Sequence, residues 1–178
     1  MKYIVLMRGI NVGGKNKISM KELKELLDKS GFEDVATYIN SGNVIFSSDN
    51  SDIEFLKRNC EALILERFNL NIPVMIISAD ELVEILSNVP EWWDFDKESR
   101  HNAIFVMPPT TVEEVLKEMG EIKPEYEKVS SFSKVIFWSA PSETFSKTKL
   151  SRVSGKSIYN SITIRNSNTV KRLVKLCK

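Results

Sequence analysis

The order of its apolar segments constrains the fold of this chain more than any other feature of the sequence. A short strand-like run comes first, and five further segments follow in the order helix, strand, strand, helix, strand. The helices have the clearer signal, because apolar residues recur at helical spacing and Ser19 with Glu22 forms a capping box. The segments are strand 3–7, helix 19–30, strand 35–39, strand 43–48, helix 52–69 and strand 73–78. This βαββαβ order predicts a ferredoxin-like unit with an antiparallel sheet.

The same order recurs in the second part of the chain, after a predicted helix over 80–88. The segments there are strand 102–107, helix 111–119, strands 126–131 and 134–139, a weak helix near 143–152, strand 161–165 and a last helix 168–177. We therefore predict an α+β protein with two ferredoxin-like halves in tandem, each with an antiparallel sheet, the second extended by the C-terminal helix. The predicted boundaries are 1–89 for the first half, 90–100 for a connector and 101–178 for the second half.

Composition limits the class of protein. The chain has 178 residues, of which 42% are hydrophobic and 28% are charged, as expected for a globular protein with a substantial core. No apolar run approaches the roughly 18 residues that a membrane span needs, and the first run is too short for a secretory signal. We therefore expect a cytoplasmic protein with no membrane partner. Cys60, Cys177 and His101 lack the spacing of a zinc site, so no metal or cofactor is expected, and His101 is expected at the surface.

The formal net charge of +1 conceals two strongly basic segments. No acidic residue occurs before Glu22, and none occurs after Glu143. The basic residues of the first segment are Lys2, Arg8, Lys15, Lys17 and Lys21. Those of the last segment are Lys147, Lys149, Arg152, Lys156, Arg165, Lys171, Arg172, Lys175 and Lys178. Such segments indicate an anionic partner, and nucleic acid would be held through its phosphates. A solvated face of the last helix is the alternative explanation for the cations there.

Residues 8–16 leave the first strand and contain three glycines and two asparagines. This composition is typical of a loop whose backbone N–H groups approach an anion. Gly9 to Lys15 matches the P-loop pattern up to its last position, where Asn16 replaces Ser or Thr and the helix signal starts too late. A nucleotide-hydrolysing P-loop is therefore disfavoured. Two interpretations stay open, an anion site and a glycine-rich connection with a structural role.

In a βαββαβ sheet the first and third strands are neighbours, so the loop that leaves strand 3–7 lies beside the hairpin over 40–43. We predict that the two segments form one ligand-binding edge. Its residues are Arg8, Asn11, Gly13, Gly14, Lys15, Asn40, Ser41 and Asn43. Arg165 and Asn166 precede the last helix and are predicted to form a second contact with the anion, because a helix N-terminus beside an arginine attracts one. Asn166 or Ser167 also suits the N-cap of that helix.

Three motifs resemble those of a known family. They are Arg8–Gly14, which reads Arg-Gly-Ile-Asn-Val-Gly-Gly, Thr37–Asn43 and Thr163–Thr169. At these residues the chain resembles a bacterial family of proteins of unknown function. The resemblance runs from end to end and implies paired α/β halves of the ferredoxin-like kind, but no activity. The family has Arg-Asn-Trp near its C-terminus where this chain has Ser167 after Asn166, so a pocket that uses the tryptophan would be altered here.

Three hypotheses about function follow. The first is a metal-independent module that binds a phosphate-bearing ligand, either nucleic acid or a nucleotide-like metabolite. The second is an enzyme acting on a small phosphorylated or carboxylated substrate, with Arg8 holding the anion and loop amides stabilising developing charge. Whether the protein is an enzyme stays open, because the predicted edge has no acid–base residue. The third is an adaptor that binds a protein partner through the segment Trp92–Phe95.

Overall fold

The computed structural model describes all 178 residues, which form two compact units. The first comprises Met1–Val83 with Leu173–Lys178, and the second comprises Glu84–Arg172. The elements of the first unit and the helix that follows are β1 (Lys2–Met7), α1 (Met20–Lys29), β2 (Glu33–Tyr38), β3 (Asn43–Ser47), α2 (Ile53–Phe68), β4 (Val74–Ser78) and α3 (Ala79–Ser87). Those that follow are β5 (Ser99–Val106), α4 (Val112–Met119), β6 (Lys128–Phe132), β7 (Val135–Pro141), β8 (Ile162–Asn166) and α5 (Ser167–Cys177). The predicted α+β class with two successive antiparallel sheets and a C-terminal helix is therefore the observed architecture.

The sheet of the first unit has the strand order β2-β3-β1-β4, the order of a ferredoxin-like unit. β1 is central and pairs antiparallel with β3 and with β4. Its alternate residues, such as Tyr3 and Val5, contribute to one apolar cluster. The helices complete that cluster, α1 with Leu23 and Leu27 and α2 with Leu56 and other buried residues. The apolar residues that recur at helical spacing in the sequence thus form the helix faces that pack on the sheet.

The sheet of the second unit repeats the same order as β6-β7-β5-β8. Its core combines residues of β5 and β7 with Val115 of α4 and with Leu150 and Val153 from the segment between β7 and β8. Thr111 forms a full capping box with Glu114 at the start of α4. No helix of the protein is long and apolar enough to cross a membrane.

The predicted helix near 143–152 is wrong. That segment forms three successive 3₁₀ turns, Ser142–Lys147, Leu150–Gly155 and Ser157–Ser161. Hydroxyl side chains there bond to nearby backbone and so compete with helical hydrogen bonds. Thr148 Oγ1 donates to the Phe145 carbonyl, and Ser151 Oγ donates to the Thr148 carbonyl.

His101 is buried, with 7% of its surface exposed, which corrects the expectation of a surface residue. The reason is that β5 starts at Ser99, earlier than predicted, so His101 lies inside the strand and pairs with Ser139 of β7. Its Nδ1 lies 2.6 Å from Ser139 Oγ, and its Nε2 lies 2.8 Å from the Asp96 carbonyl oxygen. Since a carbonyl only accepts, Nε2 is the nitrogen that donates.

Candidate functional site

The glycine-rich loop is a tight hairpin. Val12 and Lys15 form a β-bridge, and the Lys15 N–H donates to the Val12 carbonyl at 3.1 Å. Gly13 and Gly14 at the tip have φ of 58° and 76°, the left-handed values that a type I′ turn requires. Both glycines are exposed. Part of the loop's hydrogen-bonding capacity is therefore used internally, and the loop is a defined structure before any ligand arrives.

Asn11 joins this loop to the hairpin after β2. Its Nδ2 donates to the carbonyls of Ile18 and Asn40, each at 2.9 Å, and its Oδ1 accepts from the Ile18 N–H at 2.9 Å. One side chain thus links the loop, the start of α1 and the hairpin over 40–43. The predicted proximity of the two motifs is observed here.

Gly42 makes the close approach of the two motifs possible. Its carbonyl accepts from the Met7 N–H at 2.8 Å. A Cβ at position 42 would lie 2.7 Å from Met7 Cβ and 2.8 Å from Ile10 Cδ1, both too short for carbon contacts. Its φ of 80° also excludes most other residues. Sequence and sterics therefore agree that this position requires glycine.

Left-handed backbone is concentrated in the two motifs. They contain seven of the protein's thirteen residues with positive φ: Gly9, Asn11, Gly13, Gly14, Asn16, Ile39 and Gly42. Ile39 is the unusual one, because a β-branched residue at φ 49° is strained, by about 1–2 kcal/mol. Its side chain is also 49% exposed. Strained backbone of this kind clusters at binding and active sites.

A cleft of about 660 Å³ lies where the glycine loop meets the start of α1, and we name it the glycine-loop cleft. It is lined by Asn11, Gly14, Lys17, Ile18, Ser19, Met20, Lys21 and Asn40. Its charged residues, Lys17 and Lys21, are exposed lysines that form no ion pair, and no carboxylate lines it. The nearest acidic residue in sequence, Glu22, pairs instead with Arg67 at 3.3 Å. The electrostatic character of the cleft is therefore positive.

The predicted residues of this edge have different positions. Asn11, Gly14 and Asn40 line the cleft, whereas Arg8, Gly13, Lys15 and Ser41 lie in the same two motifs outside its lining. Asn43 is fully buried, and its Nδ2 donates to the Tyr38 carbonyl and to Ser41 Oγ, so it shapes the hairpin. Sequence reasoning did not include Lys17, Ser19 and Lys21 in the site. The available signal was the N-cap at Ser19 with lysines on both sides of it.

Arg165 and Asn166 also differ from each other. Arg165 is buried, its Nη1 donates to Thr163 Oγ1 and the Ile164 carbonyl, and burial lowers the pKa of its guanidinium to about 10. Asn166 is exposed and caps α5, because its Oδ1 accepts from the Thr169 N–H at 2.8 Å. Asn166 lines a cleft in the second unit, whereas Arg165 does not.

The basic C-terminal segment is not one continuous cationic surface. Lys171 forms an ion pair with Asp94, and Lys156 forms one with Glu118 at 3.9 Å. Arg165 is buried, as noted above. The acidic partners come from distant parts of the sequence, which is why the segment looked uniformly basic. A contact with nucleic acid over its whole length therefore has less support than the sequence suggested.

A second cleft, of about 620 Å³, lies in the second unit where β5 starts and β8 ends, and we name it the β5–α5 cleft. Its lining includes Phe95, Lys97, Arg100, Asn102, Phe145 and Asn166, and Asp94, Asp96, His101 and Lys171 also contribute. The Ser99 and Glu98 N–H groups hold the pKa of the Asp96 carboxyl below its usual range. At Asp94, partial burial acts to raise the pKa but is outweighed by hydrogen bonds from Lys171 and Ser167, so the pKa is lowered. No group of three or more His, Cys, Asp or Glu side chains is placed to hold a metal ion.

Comparisons with known proteins agree with this architecture. A family model described as a protein of unknown function, DUF1697, matches residues 1–137. A solved structure described as that of a conserved bacterial protein from Streptococcus pneumoniae is 31% identical, with a TM-score of 0.88 over 99% of this chain and 98% of that chain. No curated protein is significantly similar to the chain. The predicted resemblance to a family of unknown function is thus confirmed, and the chain belongs to the DUF1697 family.

Proposed function

We propose that the glycine-loop cleft binds a phosphate group, carried by a nucleic acid strand or by a nucleotide-like metabolite in the cytoplasm. The observation that carries this proposal is the charge of the cleft. Lys17 and Lys21 line it, no carboxylate does, and the nearest acid in sequence is paired elsewhere. Two unpaired cations beside the N-terminus of α1 favour an anion of high charge density.

Preorganisation supports the same proposal. Asn11 fixes the loop to the hairpin through one hydrogen bond and to Ile18 through two, and Gly42 allows the close approach of the two motifs. A site held in shape before binding loses less conformational entropy when a ligand arrives. The strained backbone at Ile39 is consistent with a local structure selected for binding.

Binding is favoured over catalysis at this cleft. An enzyme acting on a phosphorylated substrate needs a general acid or base within hydrogen-bond reach of the reacting group. The residues that line the cleft are amides, a hydroxyl, two lysines, a glycine and apolar residues, without a carboxylate or imidazole. The exposure of the lysines also suits a phosphate that belongs to a larger molecule.

The test is the binding of a fluorescent single-stranded oligonucleotide of about twelve nucleotides, followed by anisotropy at several salt concentrations. The double variant Lys17→Gln/Lys21→Gln should weaken binding by about tenfold and reduce the salt dependence by roughly one counterion for each lost contact. The control Lys24→Gln/Lys29→Gln removes the same charge from α1, outside the cleft, and should change binding little. Inorganic pyrophosphate should compete.

Two results would overturn the proposal. One is the absence of both oligonucleotide and pyrophosphate binding at low salt. The other is an equal loss of binding in the cleft variant and in its control, which would indicate attraction by net charge alone. Binding of pyrophosphate, measured directly by calorimetry, without any binding of the oligonucleotide would assign the cleft to a small metabolite.

A further inference from the structure

The β5–α5 cleft contains an arginine whose guanidinium is positioned to stack on a planar ligand. The Arg100 guanidinium lies over the Phe145 ring, with its Cζ 4.2 Å from the ring centroid. Arg100 is exposed and forms no ion pair, and the same holds for Lys97 at the same cleft. The stack restricts the guanidinium to one plane while leaving its N–H groups and its outer face available.

Phe95 provides a second planar group on the same cleft. Its side chain is 84% exposed, the highest value among the large apolar residues of the protein. The preceding residue, Asp94, has a φ of 64° and forms an ion pair with Lys171, which anchors the segment next to Phe95. An aromatic ring held in solvent beside a cleft lacks the contacts that would normally bury it.

Two amide side chains also line the cleft. Asn102 of β5 and Asn166 of β8 are directly paired across the two strands. Asn166 Oδ1 is used by the cap of α5, whereas the Asn102 amide forms no hydrogen bond within the protein. A carboxamide offers both a donor and an acceptor, which is the pattern that the edge of a nucleobase presents in return.

We infer that the β5–α5 cleft binds a nucleotide, with its base stacked between Phe95 and the Arg100–Phe145 pair and its phosphate near Lys97. The Asn102 amide reads the edge of the base. The cleft volume of about 620 Å³ lies in the range of sites for small ligands. This site is built within the second unit alone, so the inference does not rest on the phosphate site proposed for the first unit.

Calorimetric titration with three probes distinguishes the contribution of the base to binding from that of the phosphate. Adenosine monophosphate should bind, whereas adenosine, which lacks the phosphate, and ribose 5-phosphate, which lacks the base, should each bind about tenfold more weakly. A single-stranded oligoadenylate distinguishes the source of the nucleotide. Tighter binding of the oligonucleotide indicates a strand, and binding no tighter than that of the monophosphate indicates a free nucleotide.

Two variants locate the binding. Phe95→Ala and Arg100→Gln should each weaken the binding of adenosine monophosphate by about tenfold. The matched controls are Phe55→Ala, at an exposed phenylalanine of α2, and Arg152→Gln, at an exposed arginine outside the cleft, and both should bind as the parent does. All four positions are partly or largely exposed, so the fold is expected to persist, which circular dichroism checks.

The inference is overturned if adenosine monophosphate does not bind at millimolar concentration. It is also overturned if binding persists unchanged in both cleft variants, or if adenosine alone binds as tightly as the monophosphate. Loss of binding in Lys17→Gln/Lys21→Gln with retention in Arg100→Gln would place the nucleotide at the glycine-loop cleft. That result would contradict this inference while supporting the proposed function.

Discussion

The sheets of the two units have the same strand order, but the clefts described above lie at different ends of these sheets. In the first unit the cleft lies where β1 ends, because residues 8–19 form a long glycine-rich connection to α1. In the second unit the corresponding connection, residues 107–111, is short, and the cleft lies at the opposite end of the sheet, where β5 starts and β8 ends. The strand order is fixed by apolar patterning that both units share, whereas the connections differ in length, and beside the short one the second unit has a cavity of only about 310 Å³.

The comparison extends to the crossover before the last strand. In the first unit this crossover is the sixteen-residue helix α2, which buries Leu56, Cys60 and Ile64. In the second unit three 3₁₀ turns take its place and bury Leu150 and Val153. Glu127, which is buried, fixes these turns by accepting from Trp138 Nε1 at 2.7 Å and from the Lys149 N–H at 2.8 Å. The same strand order is therefore compatible with either a long helix or a series of 3₁₀ turns packed on the sheet.

The largest effect is expected from Gly42→Ala, which tests how far the first unit depends on its glycine-rich edge. An alanine at this position keeps a left-handed φ and its Cβ clashes with Met7 and Ile10, so the free energy of unfolding should fall by about 4 kcal/mol. Gly14→Ala is the matched control. It has a similar φ of 76° but no atom within 4 Å of the new Cβ, and should lose only about 1 kcal/mol.

Urea unfolding monitored by circular dichroism measures both changes. Hydrogen exchange in β5 and β7 then shows whether the loss is confined to the first unit. Equal destabilisation by the two substitutions would mean that the contact with Met7 and Ile10 relaxes at no cost. The close approach of the two motifs would then not constrain the sequence.

The next largest effect is expected from removing a buried leucine from each of the two crossovers. Leu56→Ala, in α2, should lower the free energy of unfolding by about 3 kcal/mol, because the truncated side chain leaves a cavity that a rigid helix cannot fill by moving. Leu150→Ala, in the 3₁₀ turns, should lower it by about 2 kcal/mol, because irregular backbone relaxes more readily into the space. The same urea experiment measures both. A larger loss at Leu150 would show that the turns are packed as tightly as the helix.

The sequence predicted the sheets and helices well because their signals are local. Apolar periodicity and caps such as Ser19 and Thr111 are confined to one element each, and the observed elements lie close to the predicted ones. The site was predicted less completely. Asn43 and Arg165 have the right chemistry for a ligand but are buried, and burial depends on the whole packing of a unit.

Partners distant in sequence explain the other differences. The basic segment after Glu143 contains Lys171, whose partner Asp94 precedes it by 77 residues. Arg100 and Phe145 are likewise far apart in the chain, and only the fold brings the guanidinium onto the ring. No periodicity or motif encodes such a pair, so reasoning from one sequence could not place the β5–α5 cleft.

The smallest effect separates the two clefts by their response to acid. The β5–α5 cleft contains Asp94, whose pKa is lowered in the folded state, whereas the glycine-loop cleft has no carboxylate. A lowered pKa means that the ionised carboxylate stabilises the fold above about pH 4 and that this contribution is lost as the pH falls through the folded pKa. Because Asp94 and Lys171 are partly exposed, the contribution should be less than about 1 kcal/mol.

Asp94→Asn should therefore lower the free energy of unfolding slightly at neutral pH, and the difference from the parent should shrink as the pH falls below about 4. Lys17→Gln, in the glycine-loop cleft, is the control, and its small effect should not change over the same window, because no carboxylate that lines that cleft titrates there. Urea unfolding at a series of pH values measures both differences. A difference for Asp94→Asn that keeps its size down to the lowest pH would show that this side chain acts through hydrogen-bond geometry. The two clefts would then differ in shape and in lining but not in how charge stabilises them.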